Sequence, residues 1–276
     1  MLERADSALF LWEILRNLGE NRAFRRENPQ YPTPPAPLAF DAYNHVNWPA
    51  YQETGRTHAD LVSGLVAEFL TSAERVRILE WGCGPGRVLR HLDRIPGFDH
   101  VERTGTDYNA DSIAWCRKAL HGIRFEPNSL EPPLPLDAES FDCVYAISIF
   151  THLSERNHHA WMHELLRVLR PGGVLIFTTH GDRCASRLVP EELALYHAGK
   201  LVVKDRVQEG KKLFAAYQPP EYVRGQLVGG HAVLRHIEDA RKFHLAQDVW
   251  CVRKRVDPDP KADEPIQRDG SSRELS

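Results

Sequence analysis

Residues Ile78 to Arg87 read Ile-Leu-Glu-Trp-Gly-Cys-Gly-Pro-Gly-Arg. An apolar run ends in three alternating glycines, Gly82, Gly84 and Gly86, with Cys83 and Pro85 between them. Glycines let a backbone turn sharply and approach a ligand closely. A helix beginning after such a loop offers unpaired N–H groups to a carboxylate or phosphate. Glu80, just ahead of the glycines, is placed to set a carboxylate beside a ligand's amino group. A dinucleotide fingerprint needs its third glycine three residues after the second. Here the third glycine comes one residue early and Arg87 stands in its place, which argues against a nicotinamide cofactor. A second apolar run closes in Thr106-Asp107-Tyr108. An acid at the end of the second strand of an α/β sheet can accept both hydroxyls of a ribose, and Asp107 is the acid at that position.

Two histidines also follow apolar runs. His152 comes after Phe141 to Ser148, a run that holds Ile147 near its end, and His180 comes after Val174 to Thr179. Either imidazole can act as a general base near neutral pH, or simply cap its strand and bond the following loop. His159 and His163 lie four apart on an expected helix, with His158 beside them. They read as a solvated face, because no third ligand is at hand, and no metal is expected.

These groups need elements to hold them. Ser7 to Arg26 is predicted as one amphipathic helix with Leu11, Ile14, Leu15 and Leu18 on its apolar face, a stripe expected to dock on the domain. Asn28 to Leu38 is a proline-rich connector. Ala50 to Leu70 is a second helix, striped by Leu61, Leu65, Val66 and Phe69. Strands are expected at 76–81, 101–106, 123–126, 141–148 and 174–179, and helices at 87–94, 111–120 and 155–169. Apolar strands alternating with helices imply a parallel sheet covered on both faces. Leu201 to Val207 and Lys212 to Tyr217 flank Glu209-Gly210 as a hairpin. Pro219 to Leu227 is a short helix, and Ala232 to Ile237 and Ala246 to Val252 are closing strands. The chain divides into an N-terminal helix and connector (1–40), a main domain (41–255) and a polar tail (256–276) that reads as disordered.

As a set, these motifs resemble those of class I S-adenosylmethionine-dependent methyltransferases. Glu80-x-Gly82-x-Gly84-x-Gly86 is similar to the family's first motif, with Glu80 where many members carry aspartate. Asp107 matches its ribose-binding acid, Asn128-Ser129-Leu130 the segment beside the adenine, Phe141 to Ala146 its fourth-strand motif, and Leu169 to Gly173 the turn before strand five. The resemblance implies a Rossmann-like, doubly wound, seven-stranded, mostly parallel sheet with an antiparallel last strand. It also implies S-adenosyl-L-methionine as cofactor. The binding set it implies is Glu80, Gly82, Cys83, Gly84, Gly86, Asp107, Tyr108, Asn128, Ser129, Leu130 and Ile147. Arg56 joins that set by pairing with the methionine carboxylate from a pre-domain segment, or else is a plain helix-start cation. The resemblance makes the late hairpin a lid over the acceptor, with Tyr217, Tyr222 and Trp48 as candidate aromatic walls or ordinary packing.

The chain has 276 residues and a formal net charge of -3 from 35 basic and 38 acidic residues. No basic footprint points to nucleic acid. The five cysteines form no CxxC pair, so neither a disulfide framework nor a zinc site is indicated, and reduced thiols suit a cytoplasmic protein. Ala8 to Leu18 contains Glu13 and Arg16 and does not read as a signal peptide, and no run is long enough to span a bilayer. The expected function is methyl transfer to a small-molecule acceptor. A non-catalytic module that binds the cofactor or a partner is the other reading. An aminopropyl transferase would need acidic pocket residues not evident here.

Overall fold

The computed structural model describes residues 2–204, 209–210 and 214–256, with side chains from residue 7 onward. Its centre is a seven-stranded sheet in the order β3-β2-β1-β4-β5-β9-β8. The strands are β1 (Ala73–Trp81), β2 (Phe98–Asp107), β3 (Arg124–Pro127), β4 (Phe141–Ala146), β5 (Leu169–Thr179), β8 (Ala232–Ile237) and β9 (Asp248–Arg253). β1 to β5 pair in parallel, while β9 runs antiparallel to both β5 and β8. The order reverses between β1 and β4, and a crevice opens there at the carboxyl ends of the strands, where open α/β sheets take their ligands.

Burial explains the layers. Ile78, Cys143, Tyr145, Val174 and Ile176 turn to one face, and pack there with Leu61, Val62, Leu65 and Val66 of helix α4 (Trp48–Phe69). Leu79, Val144, Leu175 and Phe177 turn to the other face and meet Trp161, Met162 and Leu165 of helix α6 (Glu155–Val168). Alternate residues of each strand thus feed opposite cores, as a doubly covered parallel sheet requires. Side-chain caps start the main helices: Asn47 accepts from Ala50 N, Ser154 from Asn157 N, and Asn109 from Ser112 N at α5 (Ala110–Ala119).

Three segments differ from the sequence expectation. The N-terminal helix is two, α1 (Leu2–Arg16) and α2 (Leu18–Glu27), because Asn17 turns its side chain back onto the Glu13 carbonyl and carboxylate. The expected apolar stripe does not dock: Leu11, Leu15 and Leu18 are exposed and only Ile14 packs inward. A polar seam replaces it. Asn21 bonds the Val46 carbonyl and the Trp48 amide, Glu13 takes the Val46 amide, and Asn47 donates to Asn17. The proline-rich connector stops at Pro35, where helix α3 (Ala36–Tyr43) begins. After the glycines there is only a 3-10 turn at Leu89–His91 in place of the expected helix. Arg90 bonds the Gly86 carbonyl with its side-chain Nε where a helix would use its amide, and Glu80 accepts the Leu89 amide.

The late hairpin is β6 (Val202–Lys204) against β7 (Ala215–Tyr217), antiparallel with Val203 opposite Ala216. Residues 205–208 and 211–213 of its predicted arms, and the predicted tail from 257, lie outside the described residues. Between β5 and β6 two further helices, α7 (Asp182–Ala185) and α8 (Pro190–His197), were not signalled by periodicity. Among the described residues no helix is long and apolar enough to cross a membrane.

Candidate active site

The carboxyl ends of β1, β2, β4 and β5 open into a cavity of about 480 Å³. Its size suits a cofactor-sized ligand with a small partner. Gly82 and Gly84 form part of the floor at φ of 75° and 49°, which only glycine adopts without strain. A Cβ at Gly82 would stand 2.2 Å from Ile149, so the cradle is filled by any side chain. The loop is held from below: the Gly82 and Cys83 amides donate to the Thr106 carbonyl at 2.8 and 2.9 Å, and Gly84 N donates to Asp107 Oδ2 at 2.7 Å. Asp107 Oδ1 takes the Asn109 amide at 2.7 Å. Burial pushes the Asp107 carboxyl above its ordinary value, and these two amides pull it back.

Asp107 and Tyr108 stand at a junction. They line the main cavity and also a smaller one of about 70 Å³, walled by Trp81, Leu130, Leu153 and Trp161, with Asn128 and Ser129 at its rim. The smaller cavity is apolar, flat-walled and suited to an aromatic base. Asn128 Oδ1 and Arg87 Nε are buried at these walls with no partner among the described residues. Unmet buried polar atoms at a cavity wall await a ligand's donors and acceptors. Gly82, Gly84, Asp107, Tyr108, Asn128, Ser129, Leu130 and Ile147 therefore all line this paired cavity, and the residues present fit S-adenosylmethionine.

Four residues of the expected binding set lie elsewhere. Glu80 faces away from the cavity: strand alternation turns it under the loop, where it accepts from Leu89 N, with the Tyr145 hydroxyl nearby but outside strict hydrogen-bond geometry. Burial pushes its carboxyl up to about 8. It braces the loop from beneath and is not among the residues that line the cavity. Cys83 is buried and points its thiol at the Gly84 carbonyl. Gly86 packs on Leu120 and Cys116, and a Cβ there would lie 2.6 Å from Leu120, so this glycine serves close loop–helix packing. Arg56 is exposed and lines a separate cleft. At 100° per residue, Thr54 and His58 share the cavity face of α4, and Arg56 between them points the other way. Arg87, rather than Arg56, reaches this cavity. It lines the cavity, donates to Thr54 Oγ1 at 2.7 Å and lies 4.4 Å over the Tyr43 ring. Its position directly after Gly86 was the signal for it.

Opposite the loop stand the two histidines. His152 Nδ1 meets the Phe214 carbonyl at 2.7 Å, and His180 Nδ1 meets the Ala216 carbonyl at 3.0 Å. A carbonyl can only accept, so Nδ1 is the nitrogen that carries hydrogen in each ring. On His180, which burial keeps neutral, Nε2 then carries the lone pair. Both rings line the cavity. Burial first, and the neighbouring His152 second, push His180 down to about 4, while the Ala216 carbonyl opposes the shift. Gln218, which belongs to no sequence motif, is fully buried. It exchanges hydrogen bonds with the backbone of His180 and donates to the Phe150 carbonyl at 2.9 Å, which ties the tips of β4 and β5 together. Ser148 sits at φ 62°, donates its amide to Thr178 Oγ1 and bonds Gln247. A non-glycine residue in that conformation at a cavity wall is strain of the kind active sites hold.

The remaining candidates are packing. Tyr222 and Trp48 are buried in the α6 and N-terminal clusters, and Tyr217 lies behind His180 at 5.1 Å between centroids, off the cavity wall. His159 and His163 are exposed on α6, whereas His158 is buried and stacks on Phe150. No metal-binding cluster exists among the described residues. From the hairpin, Gly210 reaches over the junction: its amide donates to the His152 carbonyl and its carbonyl accepts from the Tyr108 hydroxyl at 3.3 Å.

Residues 78–173 match a family described as "Methyltransferase domain". The fatty-acid O-methyltransferase of Mycolicibacterium smegmatis is 36% identical over 107 residues, 38% of this chain and 37% of that protein. The phthiotriol/phenolphthiotriol dimycocerosates methyltransferase of Mycobacterium leprae is 32% identical over 162 residues, 53% of this chain and 57% of that protein. The chain thus spans about half the length of the curated relatives it matches. In three dimensions the fold is shared with DesVI of Streptomyces venezuelae, at a TM-score of 0.52 and 16% identity over 81% of this chain and 100% of that one. Glycine loop, the acid at the end of β2, strand order and these matches agree, and the chain carries a class I S-adenosylmethionine-dependent methyltransferase-like domain.

Proposed function

We propose that the protein moves a methyl group from S-adenosylmethionine to an oxygen of a small-molecule acceptor held between the glycine loop and the two histidines. When bound, S-adenosylmethionine supplies an electrophilic methyl group on a sulfonium. The residues of this chain bind, orient and take a proton. Asp107 accepts the ribose hydroxyls, Asn128 to Leu130 flank the adenine, and Arg87 pairs with the methionine carboxylate. The acceptor enters against His152 and His180. His180, held near 4, is too weak a base for an alcohol and accepts a hydrogen bond that aims the nucleophile. His152 Nε2 would take the acceptor's hydroxyl proton in exchange for the methyl group that the cofactor would supply, with S-adenosylhomocysteine as the leaving product. Relatives named as O-methyltransferases support oxygen as the methylated atom. The five buried free cysteines support a reducing, cytoplasmic setting.

The observation that carries this reading is Asp107 at the junction of the two cavities, with both histidines on the same wall. Calorimetry with S-adenosylmethionine tests the binding, and absence of affinity overturns the reading. A screen that follows S-adenosylhomocysteine then tests turnover. His152→Ala is expected to lower kcat by about 100- to 10,000-fold. His180→Ala is expected to raise the acceptor's KM more than it lowers kcat. Full activity in both variants removes the roles given to the histidines.

A further inference from the structure

Behind the glycine loop, on the side of α4 away from the cofactor cavity, lies a second cleft of about 320 Å³. Its wall carries Arg56, Arg90, Arg103, His91, His121 and Tyr31, and no carboxylate lines it. Asp93, exposed and off the wall, favours the charged forms of His91 and Arg103 against burial.

The three guanidiniums differ in what they already hold. Arg90 is engaged on every side. It donates to the carbonyls of Gly86, Pro32 and Pro85 and to the Tyr51 hydroxyl, and it lies over the rings of Tyr31, Tyr51 and Trp115. Arg103 makes one long bond, from Nη1 to the Arg90 carbonyl at 3.3 Å, and its Nε is buried without a partner. The Arg56 side chain forms no ion pair or hydrogen bond among the described residues. The local charge is felt by its neighbours: burial first, then Arg90 and Arg56, push His91 down to about 4. Structural arginines bring a carboxylate or several carbonyls with them. Here Arg56 has neither and Arg103 has one long carbonyl bond, and the two share a cleft with two imidazoles and a phenol. Uncompensated guanidiniums in a recess are the donor set that oxyanions select, because the fork matches paired oxygens.

We propose that this cleft binds a phosphate-type oxyanion, with Arg56 and Arg103 as the charged donors and His91 and His121 at its flanks. The ligand is either free phosphate or the phosphoryl group of a small nucleotide. A nucleotide's base has the stacked Tyr31 and His91 rings beside it, 6.1 Å apart and 20° from parallel. This site is separate from the methyl-transfer cavity and does not depend on the reading of that cavity.

The test is a titration of the full chain with inorganic phosphate and, separately, with AMP, at constant ionic strength. His91 ring resonances are followed by NMR and binding heats by calorimetry. The expected result is saturable binding, with the His91 pKa moving upward as the anion offsets the arginines. Arg56→Gln is expected to weaken binding by about tenfold or more, the loss of one charge-assisted pair. Because Arg56 is exposed, its variant should melt with the wild type when no anion is present, which separates lost binding from lost folding. Arg103→Lys should weaken binding as well while keeping the charge. Equal affinity for phosphate and AMP assigns the site to free phosphate, and tighter AMP binding assigns it to a nucleotide. No saturable response to either anion at about 20 mM, weaker than any functional affinity on the free-energy scale, overturns the proposal. So does equal affinity in wild type and Arg56→Gln.

Discussion

The two sides of the main cavity are built differently. On the loop side the wall is backbone: Gly82 and Gly84 in left-handed conformations, with amides fixed by Thr106 and Asp107. Opposite, the wall is side chains, His152 and His180, hung from carbonyls of the hairpin, with Gln218 joining the His180 backbone to the Phe150 carbonyl. A wall of backbone tolerates no added atom but needs no particular side chain beyond glycine. A wall of side chains can change its chemistry by substitution while the frame stays. The first suits a fixed cofactor and the second a variable acceptor.

The largest expected effect comes from breaking the loop side. Gly82→Val puts a branched side chain at φ 75° and into Ile149. Strain and overpacking of about 3 kcal/mol or more should lower S-adenosylmethionine affinity by over about 100-fold in calorimetry. If affinity holds, the loop is not the cradle. A smaller effect is expected of Asp107→Asn, which keeps the shape and removes a charged acceptor. A loss of about 1.5–3 kcal/mol predicts about 10- to 100-fold weaker binding of S-adenosylmethionine. Both variants should leave the hydrogen bonds of His152 and His180 to the hairpin intact, which their ring resonances report.

The smallest effect, on stability, sharpens the comparison by pH. Glu80 beneath the loop is raised to about 8, so its contribution is full below its unfolded value of 4.5 and is lost as pH rises through about 8. The buried histidines act with the opposite sign. His180 and His158 are lowered to about 4 and His58 to about 3, so their contribution is full above the unfolded value of 6.5 and is lost as pH falls towards 4. Melting temperature should therefore peak near about pH 6.5 and fall on both sides. Glu80→Gln should flatten the alkaline limb alone. An unchanged alkaline limb removes the role given to Glu80.

How much of this was legible in the sequence follows the same division. β1, β2 and Asp107 were readable because an apolar run, a glycine loop and an acid are contiguous. The short β3 and the closing β8 and β9 were also placed to within about two residues, the usual boundary error. Arg56 misled because its type was read without the helical phase that turns it from the cavity. Glu80 misled because a strand's alternation puts neighbouring residues on opposite faces. The docking of α1 was expected from apolar periodicity, yet hydrogen bonds from Glu13, Asn17 and Asn21 decided it, and no periodicity encodes those partners. Gln218 was invisible because its partners, Phe150 and His180, are brought to it only by the folded sheet.

The carbonyls that hold the two imidazoles belong to Phe214 and Ala216, two positions apart on one extended stretch, and so leave the same edge of the chain. The pleat repeat sets that spacing at about 7 Å, which makes the hairpin a ruler for the pair. A single inserted residue between 214 and 216 would swing one ring's anchor to the far edge while leaving the other in place. A change in hairpin length would therefore move the two imidazoles relative to each other with every residue of the parallel sheet untouched.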